Sequence, residues 1–255
     1  MIFIHIDRIA SMKHRLAAML SLTVVSGLLL TGGVVSADSS TTATAASTKT
    51  TNQQTRLQNI ISKGDQEIER RLTTLSTLTS KINAATYLTA NDKSTLSSEV
   101  SSTTSGLTSL KTQLDSDTTV SSAASDVNSI YTEYRVYALV APKVDLIKVA
   151  DDQQTVQSRL TTLSQKLQTR ITAEQKTGKN LSSMQSELSD LNSKVETAHS
   201  ISSNIESSVI NLQPSDYNTN HELLTGDNNQ LKTAHSDDQA ADTDAKNIVS
   251  ALKTM

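Results

Sequence analysis

Asp126-Val-Asn-Ser-Ile-Tyr-Thr-Glu-Tyr-Arg-Val-Tyr-Ala-Leu-Val-Ala-Pro-Lys-Val-Asp-Leu-Ile-Lys-Val-Ala150 is the stretch whose reading decides the fold. It holds three of the five Tyr and one of the two Pro in the chain. Val127, Ile130 or Tyr131, Tyr134 and Ala138 recur at steps of three and four, the spacing of one helix face. The apolar pattern resumes beyond Pro142 with Val144, Ile147 and Val149. A proline inside a helix removes one hydrogen bond and costs about 3 kcal/mol. The stretch therefore reads as the middle of one long helix, kinked near Pro142, with similar sequence on either side.

Outward from it, the same periodicity continues. Towards the N-terminus, Leu57, Ile61, Gly64, Ile68, Leu72, Leu75, Leu78 and Ile82 predict a helix from about Asn52 to Ala85. Thr89-Ala-Asn-Asp92 resembles a capping box, and Leu96, Val100, Thr103, Leu107, Leu110 and Leu114 follow on one face. Asp115-Ser-Asp-Thr-Thr119 ends that pattern and can cap the next helix, which carries Val120 and Ala124 into the quoted stretch. Towards the C-terminus, Val156, Leu160, Leu163, Leu167 and Ile171 lead to a stop at Thr177-Gly-Lys-Asn180. Leu181 to Leu212 and Leu231 to Leu252 read as two further helices. Pro214 and a polar connection from Tyr217 to Asn229 separate them.

Arg71-Leu-Thr-Thr-Leu-Ser76 recurs unchanged as Arg159-Leu-Thr-Thr-Leu-Ser164, 88 positions on (71 to 159). At the same offset Leu96, Glu99 and Val100 fall on Met184, Glu187 and Leu188. Asp126-Val-Asn-Ser-Ile130 resembles Asp244-Ala-Lys-Asn-Ile248 at a longer offset of 118 (126 to 244), which places an insertion in the Tyr217 to Asn229 connection. A period of this size marks tandem supersecondary units. The expectation is all-α: an elongated pair of tandem three-helix bundles, residues 52–141 and 142–255, sharing the central helix. A continuous version of that helix would be about 80 Å long for about 55 residues.

Composition agrees with long helices. Seven Gly and two Pro leave too few turn residues for many short strands. Hydrophobic residues at 36% and aromatics at 2% suit amphipathic helices, each of which buries only a stripe. A net charge of −3 with no basic stripe argues against nucleic acid as a partner. The absence of Cys excludes disulfides and thiolate metal sites.

Met12-Lys-His-Arg15, the apolar run Leu16 to Val35 and Val35-Ser-Ala37 have the three parts of a secretory signal, with cleavage expected after Ala37. Residues 1–37 are read as that signal, with Met12 the better start. If uncleaved, the apolar run is about long enough to anchor the chain in a membrane. The Ser/Thr/Ala-rich residues 38–51 lack periodicity and read as a disordered tether.

No catalytic set emerges, and no cofactor or metal is expected. His199, His221 and His235 have no partner at metal-binding spacing and read as surface residues. Asp115-Ser-Asp117 and Asp237-Asp238 with Asp242 and Asp244 lack the spacing of a calcium loop and read as solvated. No nucleophile motif with its partners occurs, and the polar helix faces lack the Lys/Arg and bulky anchors of a membrane-active helix. Tyr131, Tyr134, Arg135 and Tyr137 are the candidate interaction patch. Their first reading is ring packing where two bundles meet; the alternative is recognition of a partner, since Tyr and Arg favour interfaces.

Three segments carry a resemblance: Tyr87-Leu-Thr-Ala-Asn-Asp-Lys-Ser-Thr-Leu96, Tyr134-Arg-Val-Tyr-Ala-Leu-Val-Ala-Pro-Lys143, and Pro214-Ser-Asp-Tyr-Asn218 with Leu223-Leu-Thr-Gly226. In them the chain resembles a group of uncharacterised secreted bacterial helical proteins that share a Tyr-Arg-x-Tyr-Ala-Leu-x-x-Pro-Lys segment. The resemblance covers most of the chain beyond the signal. It implies secretion and a helical fold, and no activity or site residues. The combined expectation is an exported, non-enzymatic scaffold, spacer or interaction protein of the cell envelope or extracellular space. Its partner would be a protein or envelope component, and its apolar seams leave self-association open. The alternative is an exported binding module or adhesin working through the Tyr-rich joint.

Overall fold

The computed structural model describes residues 39–254, with side chains from Lys49 onward. The expected export signal over residues 1–37 lies outside the described residues. The chain divides into two units, Met1–Ala46 and Ser47–Met255. Of the first, only the opening turns of a helix are described. The second holds the rest of that helix and every other described element.

The regular secondary structure of the described residues is all helical, with no strand among them. In chain order the helices are α1 (Ser39–Ala84), α2 (Ala90–Asp115), α3 (Val120–Thr132), α4 (Ala141–Gln175), α5 (Ser182–Val209), the short α6 (Pro214–Thr219) and α7 (Asp227–Lys253), with a π-helical turn, Val136–Val140, leading into α4. None is long and apolar enough to cross a membrane. α1 begins at Ser39, inside the stretch expected to be a disordered tether. Helix propagates from a packed segment at little cost through good formers such as Ala43, Ala45 and Ala46. Residues 49–56 are all exposed, so no burial holds this end in place.

The helix boundaries follow local chemistry. Thr89 caps α2, its hydroxyl accepting from the Asp92 N–H at 3.1 Å. The second arm of the box does not come from Asp92. Asp151 of α4 accepts the Thr89 N–H at 2.8 Å, so a neighbouring helix completes the cap. Thr119 caps α3 in the same way through Ser122. Gly178 takes φ +83° after α4, where a side chain would be strained.

The central stretch departs from expectation. α3 stops at Thr132, and Arg135 adopts a left-handed conformation with φ 43°. The helix then restarts and runs through Pro142 without stopping. Pro142 has no N–H, and its ring crowds the carbonyl four residues back. The π turn relieves this crowding by widening the backbone: the Val140 N–H reaches the Arg135 carbonyl, and the Ala141 N–H reaches that of Val136. The interruption is therefore at Glu133–Arg135 and not at the proline.

Two apolar clusters form the interior. The first joins Leu75, Ile82, Leu96, Leu107, Leu114 and Ile130 of α1–α3 to Val144 and Ile147 of α4, with Ile205, Val209 and Leu231 also in it. The second joins Leu160, Leu167 and Ile171 of α4 to Leu188, Leu191 and Val195 of α5 and Ala241, Ala245 and Ile248 of α7. α1 approaches α2 and α3 closely at Gly64. A Cβ there would lie 2.5 Å from Leu114 Cδ2 and 2.7 Å from Val127 Cγ2.

Candidate functional site

The break at Glu133–Arg135 resets the helical phase, so the four residues of the expected patch divide among three neighbouring helices. Tyr131 and Tyr137 come together on Arg71 of α1. Its guanidinium lies 4.7 Å from one ring centroid and 4.9 Å from the other. The two rings are 42% and 48% exposed, whereas Arg71 is only 5% exposed beneath them. Arg71 Nη1 also donates to the Glu67 carboxylate at 2.7 Å and to the Glu67 carbonyl at 2.9 Å. Each stacked ring adds on the order of 0.5–1 kcal/mol. Tyr134 separates from this pair. A Cβ placed on Gly106 of α2 would sit 2.5 Å from its ring, so glycine admits the tyrosine. Burial, with the nearby Glu133 charge, raises the Tyr134 hydroxyl above its usual pKa. Arg135 turns to α6. Its Nε donates to Asn218 Oδ1 at 2.7 Å, and its guanidinium lies 5.5 Å from the Tyr217 ring. Asn218 Nδ2 in turn donates to the Thr132 carbonyl at 2.8 Å. The patch residues thus reach three helices: Tyr131 and Tyr137 meet α1, Tyr134 meets α2 and Arg135 meets α6.

Lys143 is fully buried, a position that an isolated charge occupies only at high cost. Its ammonium donates to both Glu99 oxygens, at 2.8 and 2.9 Å, and to the Leu212 carbonyl. One side chain therefore ties α4 to α2 and to the segment that follows α5. Sequence reasoning missed it. The available signal was a lysine directly after Pro142 in an otherwise apolar run.

A second polar group lies between the two apolar clusters. Gln153 and Gln157 of α4, Ser202 of α5 and Asp238 of α7 are all buried. Ser202 donates to Gln153 at 2.9 Å, Gln153 donates to the Leu231 carbonyl at 2.8 Å, and Gln157 donates to Asp238 at 3.3 Å. His199 Nδ1 lies 3.3 Å from Gln157 Oε1. Asp238 was expected to be solvated. Burial pushes its carboxyl up to about 7, against the Gln157 hydrogen bond and with help from Asp237. Of the other acidic groups singled out in the sequence, Asp115, Asp242 and Asp244 are paired with lysines. Lys111 bridges Asp65 and Asp115, Lys194 bridges Asp190 and Asp244, and Lys246 meets Asp242.

Three carboxylates form a different arrangement. Asp92, Asp151 and Glu206 offer oxygens all within 4.8 Å of one another. Asp92 and Asp151 are each 2% exposed, and Glu206 is half-buried. Thr89 holds two of them, its hydroxyl on Asp92 and its N–H on Asp151. Gln154 donates to Glu206. Burial pushes the Asp151 carboxyl up to about 6; the Thr89 hydrogen bond opposes the shift, and the charges of Asp92 and Glu206 add to it. Oxygen donors of this kind suit hard cations. Asp92 was legible only as a helix cap, and nothing in the sequence placed Asp151 or Glu206 beside it.

Of the other histidines, His221 meets the Tyr217 ring edge-on, with centroids 5.2 Å apart, and His235 meets Gln239 at 3.0 Å. A search against known proteins finds that the chain matches no protein-family model, no curated protein and no solved structure.

Proposed function

We propose that this chain is an exported, non-enzymatic helical scaffold or spacer of the cell envelope or extracellular space. The observation that carries the reading is how the conspicuous polar residues are used. Arg71 and Lys143 each tie one helix to another, and Arg135 ties the break to α6. Export rests on the signal pattern of Met12 to Ala37.

We further propose that the scaffold is two tandem copies of a three-helix unit, joined in the Glu133–Pro142 region. The repeated segments fall on successive helices in the same order: Arg71–Ser76 and Arg159–Ser164 on α1 and α4, Leu96–Val100 and Met184–Leu188 on α2 and α5, Asp126–Ile130 and Asp244–Ile248 on α3 and α7. Burial follows the offset too. Leu96, Val100, Leu107, Leu110 and Leu114 correspond to Met184, Leu188, Val195, Ala198 and Ser202, and all ten are buried. The resemblance to secreted bacterial helical proteins agrees with this role.

The alternative, a module that docks a partner at the joint, is favoured by the exposure of Tyr131 and Tyr137. Changing Tyr131 and Tyr137 to Ala, alone and together, separates the two. A scaffold role predicts lower thermal stability with unchanged envelope association of the folded fraction. Lost association at unchanged stability would favour the binding module.

A further inference from the structure

We propose that Asp92, Asp151 and Glu206 form a binding site for a divalent cation of the calcium class. Acidic clusters are common and usually solvated, and two observations distinguish this one. The first is charge. Two of the three carboxylates are almost wholly buried, yet among the described residues no Lys, Arg or His forms an ion pair with any of the three. Buried carboxylates elsewhere in proteins are paired, neutralised or bound to metal. The second is an orphaned atom. Asp151 Oδ1 is buried and has no hydrogen-bond partner, while Oδ2 of the same group is taken by the Thr89 N–H. A buried acceptor left empty costs about 1–3 kcal/mol, more when charged.

The chemistry selects the ion. All three donors are carboxylate oxygens, with no imidazole or thiolate, so zinc and copper are disfavoured. Oxygens that all lie within 4.8 Å of one another can face one ion. Calcium accepts irregular sets of carboxylates, whereas magnesium demands near-ideal octahedral geometry and keeps several waters. Access is available as well. Asp151 lines a shallow cleft of about 340 Å³ with Tyr87, Thr89, Gln154 and Arg159, which leaves room for water to complete the coordination. Arg159, the cation on that cleft, stacks over the Tyr87 ring at 5.3 Å.

Tyr87 also supplies a probe, because a nearby tyrosine sensitises terbium, a lanthanide that takes calcium sites. The test uses the full chain in chelator-treated buffer, with terbium luminescence and calcium calorimetry. The expected result is sensitised emission saturating at one terbium per chain and displaced by calcium. Tyr87→Phe should dim the emission and leave calcium binding intact. Asp151→Asn and Glu206→Gln should each weaken calcium binding at least tenfold, while Asp237→Asn leaves it unchanged. Glu206 is half-exposed and caps no helix, so its variant tests the site even where Asp151→Asn unfolds the chain. Three results would overturn the assignment: no calcium binding up to about 10 mM, beyond the weak extracellular range; equal binding by wild type and Glu206→Gln; or tighter binding of magnesium than of calcium.

Discussion

Lys143 shows how much a single buried side chain can govern. Its ammonium serves Glu99 and the Leu212 carbonyl from a position with no solvent exposure. Lys143→Met leaves the Glu99 carboxylate, itself only 19% exposed, without its donor. Breaking a buried pair from one side costs about 3–5 kcal/mol, whereas replacing both members by apolar groups is often close to neutral. Urea unfolding should therefore show Lys143→Met losing about 3 kcal/mol, with Glu99→Leu added to it recovering much of the loss. A single variant within 1 kcal/mol of wild type would mean that the pair contributes little. Arg71 is the cationic counterpart in α1, held by two rings and Glu67 where Lys143 uses a carboxylate and a carbonyl.

Among the elements, α4, α5 and α7 are packed around a polar layer as well as apolar seams. Gln153, Gln157, Ser202 and Asp238 interrupt the run of apolar contacts, and a polar layer of this kind can fix the register of packed helices. It also makes stability depend on pH. Asp238 has a folded pKa of about 7, above the usual value near 4 of an unfolded Asp. Between those values the folded chain binds more protons than the unfolded one, so stability falls as pH rises from about 4 to about 7 and then levels off. Asp238→Asn should flatten that part of the profile in thermal unfolding between pH 4 and 8. An unchanged slope would show that Asp238 is not the titrating group. The apolar seams of these helices were legible because Leu188, Leu191, Val195 and Ile205 keep helical spacing. The polar layer was not, because Asp238 beside Asp237 has the same local pattern as a solvated pair. The packing of α4 and α5 against α7 buries it.

For the whole molecule, the all-helical class was readable from scarce Gly and Pro and from sustained three- and four-residue steps. Most helix ends were readable too, at Thr89, Thr119 and Gly178. The break was misplaced. Proline marks strain locally, but a π turn absorbs it, and the left-handed Arg135 depends on α6 bonding through Asn218 from 83 residues away. The Asp92, Asp151 and Glu206 cluster was hidden for the same reason, since its members come from α2, α4 and α5. The export reading depends on Met12 to Ala37, and the scaffold role depends on export. The most direct measurement is N-terminal sequencing of the chain recovered from medium, envelope and cytoplasm after expression in a bacterium. The account predicts a mature chain beginning at Asp38, found outside the cytoplasm. A chain that keeps Met1 or Met12 at its start and stays in the cytoplasm would contradict it.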